Sequence, residues 1–481
     1  MPNQMTGRFY AAALLAVVAM APPLLTAQQM PVSGAPPSAE ALTALVDSLV
    51  RATLLSQGVP SVSVAVVRGD ETLVQRAWGR ADASTGRAAD ASTAYALASN
   101  SKQFTAALVL RLADRGRLAL GDPIGRHLSG LRPEWREITI EQLLNHTSGL
   151  KRDGFVDMSR IEEDVPGDSL VARAARDTMA ARPGTTFLYS NTGYVILRAL
   201  VERLYGRPYA DVLRNEIARP LGLATLRYCG EVQAGAGATG HLRSPDGTLS
   251  PPLALHPSQQ LGASGICSTA ADLAKWNRAL HGGRVLSEAS YRAMTTPRGV
   301  ADSYGFGVSI GLARWGGPLI EHGGQEVSGF TSENGWYPAD SLSVTILYNA
   351  VPRVAAGGTQ IIAALALGHT PPAASTPAPQ PAVAGTPATG IAGEEARRQF
   401  VAEYQMGPGA VVGVAFEEGT FVLTTPGGEK TRMVHVSGAT YTFGSDGPGN
   451  TITFLADPEG RVVGLLAQQP GAPERRLRKI R

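Results

Sequence analysis

The sequence lacks several features, and each absence excludes a class of function. No cluster of cysteine and histidine has metal-ligand spacing, and no glycine-rich loop has the spacing that cradles phosphate. We therefore expect no metal and no cofactor. The formal net charge of the 481 residues is only +3, so the composition gives no reason to expect nucleic acid as a partner. Beyond the N-terminal region, no apolar run is long enough to cross a bilayer.

The N-terminal residues 1–27 have the pattern of a secretory signal peptide. Arg8 supplies a positive charge, and an apolar stretch interrupted by Pro22 and Pro23 precedes a small-residue cleavage site that ends at Ala27. A membrane anchor is the alternative, but the uninterrupted apolar run is short and the prolines are unfavourable in a spanning helix. We expect an exported protein, periplasmic or secreted, with no transmembrane segment after the signal is cleaved.

The chain has two cysteines, Cys229 and Cys267, which is an even number in a protein expected to be exported. A disulfide between them would stabilise the fold by about 3–5 kcal/mol in the chain-entropy model. Two buried thiols are the alternative. We favour the disulfide.

Composition and periodicity divide the remaining chain into three parts. Residues 38–368 have strand-like runs at both ends of a mostly helical middle, which is typical of an α+β domain. Residues 369–390 are rich in proline and alanine and are predicted to form an extended linker. Residues 391–481 have short alternating strands between turn signals, which predicts a small all-β domain. Helical periodicity is clearest in residues 38–55, 168–181, 193–204 and 270–280.

A serine and a lysine, Ser99 and Lys102, stand where a strand-like stretch runs into a predicted helix. Residues three apart share one face of a helix, with Cβ atoms about 5–6 Å apart. A lysine with a lowered pKa can take the serine proton and activate the hydroxyl as a nucleophile. The helix N-terminus would add N–H donors for an oxyanion. The alternative is a helix cap followed by a solvated lysine, and this motif alone does not decide.

Tyr189 and Asn191 flank Ser190 where a loop enters another predicted helix. A tyrosine held near a lysine can share the role of base, and an asparagine amide can hold the lysine or orient a substrate carbonyl. The alternative is a buried tyrosine beside a helix cap.

His322 is followed by Gly323 and Gly324 in an apolar, strand-like run. Glycine in a strand allows another backbone to approach closely, and the N–H of Gln325 could then donate to an oxyanion. The same tripeptide begins at His281, where it follows a predicted helix and indicates only a helix end.

The order Ser-x-x-Lys, Tyr-x-Asn, His-Gly-Gly resembles the serine penicillin-recognising hydrolases, which comprise class C β-lactamases, DD-peptidases and the family VIII type of esterase. The resemblance extends over roughly Ala39 to Leu367 and includes "LLNHTSGL", "PGTTFLYSNTGY", "PLGL" and "GASGICSTAADLAKW". It implies a β-lactamase/transpeptidase-like antiparallel sheet beside a helical domain. The C-terminal residues resemble the small β-barrel-like domains often appended to this family.

The resemblance implies a role for each matching residue. Ser99 would be the acylated nucleophile, and Lys102 and Tyr189 would transfer protons. Asn191 would contact the substrate or Lys102. The N–H groups of Ser99 and Gln325 would form the oxyanion hole, beside the strand that carries the two glycines.

One departure affects the expected substrate. His322 stands where the better-known members have the lysine of Lys-Thr-Gly, and a histidine is mostly neutral at pH 7. This favours small ester, amide or peptide substrates over β-lactams. His146 in "LLNHTSGL" is interpreted as a structural loop residue rather than a catalytic histidine.

The resemblance thus implies an exported serine hydrolase that forms an acyl-enzyme on Ser99. Two alternatives stay open at this point. One is a DD-peptidase or β-lactamase that acts on cell-wall peptides or β-lactams. The other is a catalytically inactive binding module on the same scaffold. The sequence leaves the natural substrate and the oligomeric state undetermined.

Overall fold

The structure is a computed structural model of the chain. The described residues are 34–233, 235–243, 248–351, 358–369, 386–387, 399–407, 410–417, 419–424, 430–437, 439–443, 451–459, 461–468 and 475–479. The predicted signal peptide and most of the predicted linker therefore lie outside the described residues. The chain divides into two compact units, one within Met20–Ser375 and the other containing Thr376–Arg481.

The first unit contains the helices and a large sheet. Its α-helices are α1 (Ala39–Gln57), α2 (Lys102–Asp114), α3 (Ile140–Leu144), α4 (Gly167–Ala174), α5 (Asn191–Tyr205), α6 (Tyr209–Leu213), α7 (Arg219–Leu221), α8 (Ala270–His281), α9 (Glu288–Met294) and α10 (Gly358–Leu367). Its strands are β1 (Ser61–Arg68), β2 (Glu71–Gly79), β3 (Tyr95–Ala96), β4 (Arg227–Tyr228), β5 (Leu242–Arg243), β6 (Leu249–Ser250), β7 (Ile266–Ser268), β8 (Ser309–Leu312), β9 (Pro318–Glu326), β10 (Phe330–Tyr337) and β11 (Leu342–Tyr348).

Six strands form an antiparallel sheet in the order β2-β1-β11-β10-β9-β8. Side chains alternate between its faces because a strand has a period of two. Val62, Val64 and Val66 of β1 pack in one cluster with residues of α1 and α10. On the other face, the Asn277 amide of α8 donates to Asn334 Oδ1 of β10 at 2.7 Å. The sheet is therefore covered on both faces.

Helix α5 is the centre of the helical region, and its ends are set by local chemistry. The Ser190 hydroxyl accepts the N–H of Gly193 at 3.1 Å and caps the first turn. Gly206 ends the helix with φ of 67°, which glycine adopts without a steric penalty. Most side chains of α5 are buried, so other elements enclose the helix on most of its sides.

The predicted helix over residues 168–181 is shorter than expected. Helix α4 ends at Ala174. The N–H groups of Ala180 and Ala181 donate to the Gly149 carbonyl at 2.9 and 3.2 Å. These bonds hold the following residues against a neighbouring loop, because a tertiary partner satisfies the backbone groups that a longer helix would have used.

A small sheet leads the chain into the region of Ser99. β7 pairs with both β3 and β4, and β3 runs directly into a 3₁₀ turn at Ala98–Ser101. The predicted disulfide is present, and it joins Cys229, next to β4, to Cys267 of β7 across a Cα–Cα distance of 4.9 Å. It therefore ties together the strands beside this turn.

The second unit is a small barrel. Its strands are β12 (Thr386–Pro387), β13 (Ala402–Gly407), β14 (Ala410–Glu417), β15 (Thr420–Thr424), β16 (Lys430–Ser437), β17 (Thr440–Phe443), β18 (Thr451–Ala456), β19 (Val462–Gln468) and β20 (Arg475–Lys479). Each of β13 to β19 pairs with the next strand, and β20 pairs back with β13, so the ring closes. Phe400 and Phe454 stack in its core with ring centroids 3.9 Å apart.

Part of the segment predicted as a linker, residues 369–390, forms a strand. This strand is β12, and it pairs with β18. An extended proline-containing segment has nearly the backbone geometry of an edge strand, so the two are difficult to separate by composition.

Among the described residues, no helix combines the length and the apolar character needed to cross a membrane.

Candidate active site

The chain turns sharply between β3 and α2, and Ser99 lies on that turn rather than on the helix. Ala98 has φ of 47°, a left-handed conformation that costs a non-glycine residue roughly 1–3 kcal/mol. The Ser332 hydroxyl holds the turn to β10, since it donates to the Leu97 carbonyl at 2.6 Å and accepts from Asn100 Nδ2 at 2.8 Å. Ser99 stays partly exposed between buried neighbours. The turn therefore presents its hydroxyl to an incoming substrate.

Lys102 is the first residue of α2 and is completely buried. Its Nζ lies 3.1 Å from Ser99 Oγ, 2.7 Å from Asn191 Oδ1 and 2.9 Å from the Ala263 carbonyl oxygen. Burial, together with the positive charge of Arg152, holds the pKa of Lys102 well below its usual range. Lys102 therefore loses its proton far more readily than an exposed lysine.

The three partners of Lys102 fix the direction of its lone pair. A neutral amine has two N–H groups and one lone pair. The Ala263 carbonyl and Asn191 Oδ1 can only accept hydrogen bonds, so they take the two N–H groups. The third direction is left for Ser99, whose hydroxyl can donate to the lone pair. The site thus contains a serine paired with a base.

Asp153 decides which atom of the Asn191 amide faces the lysine. Asn191 Nδ2 donates to Asp153 Oδ1 at 2.7 Å, so Oδ1 of the same amide must point towards Lys102. Among the described hydrogen bonds, Asp153 bonds to Asn191 and to neither Lys102 nor Ser99, while its charge opposes the lowering of the Lys102 pKa. It is a positioning residue, and the sequence predictions missed it.

Tyr189 lies beside the serine and the lysine, as predicted. Its hydroxyl interacts with Ser99, and the centroid of its ring is 4.8 Å from Lys102 Nζ. Burial raises the pKa of the Tyr189 phenol, although the interaction with Ser99 acts in the opposite direction. A phenolate is therefore disfavoured at this position, because burial stabilises the neutral form. Tyr189 is a neutral phenol that can pass one proton while it receives another.

His146 supports the loop that carries Tyr189. Its Nδ1 accepts the backbone N–H of Ser190 at 3.1 Å, and its ring centroid is 4.2 Å from that of Tyr189. Burial, with the nearby charge of Lys102, lowers the pKa of His146 well below its usual range. The side chain is fully buried and does not bond to Ser99 among the described hydrogen bonds. This placement agrees with the predicted structural role.

Gly324 allows β9 to reach the nucleophile. A Cβ at this position would lie 2.8 Å from the backbone nitrogen of Ser99 and 2.7 Å from the Leu97 carbonyl oxygen. Backbone atoms cannot move aside as a flexible side chain can. The predicted close approach of two backbones at the His-Gly-Gly motif is therefore present, and the approaching backbone includes that of Ser99 itself.

The backbone of Gln325 lies at an open edge of the sheet. Among the described strands, β8 pairs with β9 only over Pro318–Leu319–Ile320–Glu321, so the rest of β9 has β10 on one side alone. The Glu326 carbonyl accepts the N–H of Gly329 at 3.0 Å in the β9–β10 turn, so it faces β10. Successive backbone groups alternate between the two edges of a strand. Those of Gln325 therefore face the open edge.

His322 is buried on β9 and is neutral at pH 7. Its Nδ1 donates to the Gly323 carbonyl at 2.6 Å, and its Nε2 accepts from the Tyr304 hydroxyl at 2.9 Å. Burial and the charge of Lys102 lower the pKa of His322 to about 4. This position therefore supplies no positive charge to a substrate.

The described residues contain no group of three or more His, Cys, Asp or Glu side chains that could hold a metal ion.

The Gly324→Ala variant is expected to lose roughly 10²-fold in the rate at which a fluorophosphonate labels the protein. The added methyl group would push β9 away from Ser99, and a displacement near 1 Å can cost that much. Gly311→Ala on β8 is the matched control, because a Cβ there meets nothing within 4 Å. Labelling rates, measured with melting temperatures, check this expectation. Equal rates in the two variants would contradict it.

Comparisons with known proteins identify the family and the fold of this chain. The family model described as Beta-lactamase matches residues 43–367. A D-aminopeptidase from Brucella anthropi is 29% identical over 317 residues, which are 64% of this chain and 59% of that protein. The chain spans between 36% and 62% of the length of the first curated relatives it matches.

Solved structures share the architecture. A D-stereospecific amidohydrolase from Streptomyces sp. matches with a TM-score of 0.58 and 25% identity, over 68% of this chain and 98% of that one. The octameric penicillin-binding protein homologue from Pyrococcus abyssi matches with a TM-score of 0.59, over 91% of this chain and 99% of that one. At 20% identity, the second likeness concerns the fold alone.

Proposed function

Since this chain belongs to the beta-lactamase family, we propose that it hydrolyses ester or amide substrates through an acyl-enzyme on Ser99. One observation carries the proposal. Two partners that can only accept take the N–H groups of the Lys102 amine, and Ser99 Oγ lies 3.1 Å away in the remaining direction. That arrangement is what a serine nucleophile needs from its base.

In the acylation step, Ser99 Oγ forms a bond to the substrate carbonyl carbon. The hydroxyl proton passes to Lys102 Nζ, and the π electrons of the carbonyl move onto its oxygen. The N–H groups of Ser99 and Gln325 stabilise this oxyanion. The oxyanion then re-forms the carbonyl double bond, and the alcohol or amine leaves with the electron pair of its bond to carbon. It takes a proton from the Tyr189 hydroxyl, which is replaced by the proton on Lys102.

Deacylation uses the same groups in the reverse direction. A water molecule adds to the acyl carbon and gives up a proton to Lys102 through the Tyr189 hydroxyl. The bond between the acyl carbon and Ser99 Oγ then breaks, and that proton returns to the serine. The site is regenerated with Lys102 neutral, so no external proton acceptor is needed within the cycle.

The neutral His322 bears on the range of substrates. A lysine at this position would be a fixed cation facing a substrate carboxylate. His322, with its pKa near 4, supplies no charge at pH 7. This supports ester and amide substrates without a carboxylate at that end, in preference to β-lactams.

Rapid mixing with p-nitrophenyl acetate tests the proposal. We expect a burst of p-nitrophenol close to one equivalent of enzyme, because acylation of Ser99 releases the alcohol before water removes the acetyl group. A slower linear phase should follow. A folded protein that hydrolyses neither this ester nor aminoacyl esters and amides would contradict the proposal and favour the inactive binding module.

A further inference from the structure

Glu326 is a carboxyl group near the nucleophile that the proposed reaction does not use. It is the last residue of β9, and its two oxygens accept hydrogen bonds from the hydroxyls of Ser264 and Ser328. Burial raises the pKa of this carboxyl, while the charge of Lys102 acts in the opposite direction. Among the described hydrogen bonds, Lys102 Nζ bonds to three other partners and not to Glu326.

The side chain of Glu326 lies on the face of β9 that approaches the serine. Alternate residues of a strand share a face, so Gly324 and Glu326 point the same way. That face is identified by Gly324, whose Cβ position would be 2.8 Å from the Ser99 nitrogen. Two residues of a strand span about 7 Å, so Glu326 lies about that far along β9 from the point where Gly324 meets the backbone of Ser99. Ser264, one of its hydroxyl partners, adjoins Ala263, whose carbonyl binds Lys102.

The open edge of β9 predicts where the acyl residue of a substrate places its amine. In the acyl-enzyme pathway, the substrate carbonyl accepts the N–H of Gln325. In an antiparallel pair, two opposite residues exchange both of their backbone hydrogen bonds. The nitrogen of the same substrate residue therefore lies at the Gln325 carbonyl, one residue from Glu326.

These positions favour a positively charged nitrogen over an acylated one. A carboxylate offers about four acceptor sites, and the two serine hydroxyls occupy only two of them. An ammonium group brings three donors and a positive charge. An N-acyl group would instead place an uncharged carbonyl carbon near the carboxylate and leave its free acceptor sites unpaired, which is costly in a buried site.

We propose that Glu326, oriented by Ser264, binds the free α-ammonium of the substrate residue that acylates Ser99. The substrates are then amides, esters or peptides whose acyl part is an amino acid with an unblocked amine. This inference rests on the proposed function and names its substrate class. Glu326 is a specificity-determining residue, and Ser264 positions it.

The test compares the p-nitroanilides of phenylalanine and N-acetyl-phenylalanine, each in D and L form. At about pH 6.5 the α-amine is mostly protonated, since its usual pKa is near 7.7. We expect wild-type kcat/KM to favour the free amine by at least roughly 10-fold. Glu326→Gln should reduce this ratio by roughly 10- to 100-fold, the range for a hydrogen bond to a charged group. Ser264→Ala should reduce it less, by roughly 3- to 10-fold.

The ratio of kcat/KM for the free amine to that for the N-acetyl substrate distinguishes a loss of recognition from a loss of folded protein. Both rates are measured on one preparation, so a general loss of activity cancels. Glu321→Gln is the matched control, because Glu321 lies on the same strand but five residues away and on the opposite face. Its ratio should equal that of the wild type. A wild-type ratio at or below one, or a ratio unchanged by Glu326→Gln, would overturn the inference and leave the proposed function standing. Cleavage of none of the anilides and no hydrolysis of p-nitrophenyl acetate would overturn both.

Discussion

The Ser99→Ala variant is expected to lose roughly 10⁴- to 10⁶-fold in kcat/KM for p-nitrophenyl acetate, the range seen when a serine nucleophile is removed. Lys102 keeps its bonds to Asn191 and the Ala263 carbonyl, so the site stays assembled without its reacting atom. The melting temperature should change little, because the partly exposed hydroxyl contributes little to the packing. Steady-state kinetics and thermal unfolding on the same preparation check both parts.

A second serine in the same turn supplies the control. Ser101 is buried, and its hydroxyl accepts the backbone N–H of Ile266 at 3.3 Å, away from the reaction. Ser101→Ala should retain most of the activity and lose some stability. If Ser99→Ala kept an activity comparable to that of Ser101→Ala, Ser99 would not be the nucleophile.

The Lys102→Met variant should lose roughly 10²- to 10⁴-fold in the same reaction, the usual contribution of a general base. Methionine has nearly the length of lysine but no lone pair that can accept the Ser99 proton. The variant should fold with some loss of stability, because methionine fills the same space but leaves Asn191 Oδ1 and the Ala263 carbonyl without the donor that Lys102 supplies. Lys275→Met on α8 is the control, since Lys275 is exposed and pairs with Asp272. Its rate should match that of the wild type.

The pH dependence of the wild type should report the same base. Lys102 accepts the proton only when it is neutral, so the acylation rate should rise with pH through the pKa of Lys102 and then level off. Because burial lowers that pKa, the rise should lie well below the usual range of a lysine. Lys102→Met should lose this rise. Full wild-type activity retained by Lys102→Met would exclude the lysine as the base.

The sequence was sufficient for the family and its fold. Three separate motifs follow the order of a known family: Ser99 with Lys102, then Tyr189 with Asn191, then His322 with its two glycines. That family and its fold are confirmed. The first two motifs lie where a turn or loop meets a helix, and the third lies within β9. Local signals can predict such positions. The Asn191 side chain does contact Lys102, one of the two roles that the resemblance implied.

The residues that the sequence missed act through contacts between distant segments. Asp153 orients an amide 38 positions later in the chain, and the Ala263 carbonyl binds a lysine 161 positions earlier. A backbone carbonyl has no side-chain signature. An aspartate in a loop is common, so only the folded chain distinguishes Asp153 from a solvated neighbour.

Contacts between distant segments also limit how much of the fold the sequence predicts. Alternating residues predicted the all-β domain, but the closure of its ring depends on pairing between β13 and β20, near its two ends. No local pattern reports that pairing. The helix predicted over 168–181 ended at Ala174, because its last turns found hydrogen bonds with a different segment. Tertiary partners decided both outcomes.

The mass of the intact protein after exposure to a fluorophosphonate tests the central claim most directly. The reagent phosphonylates an activated serine, so wild type should gain one adduct, and peptide mapping should place it on Ser99. Ser99→Ala should gain none under the same conditions. An adduct on another residue, or no adduct on folded wild-type protein, would contradict the assignment of Ser99 as a live nucleophile.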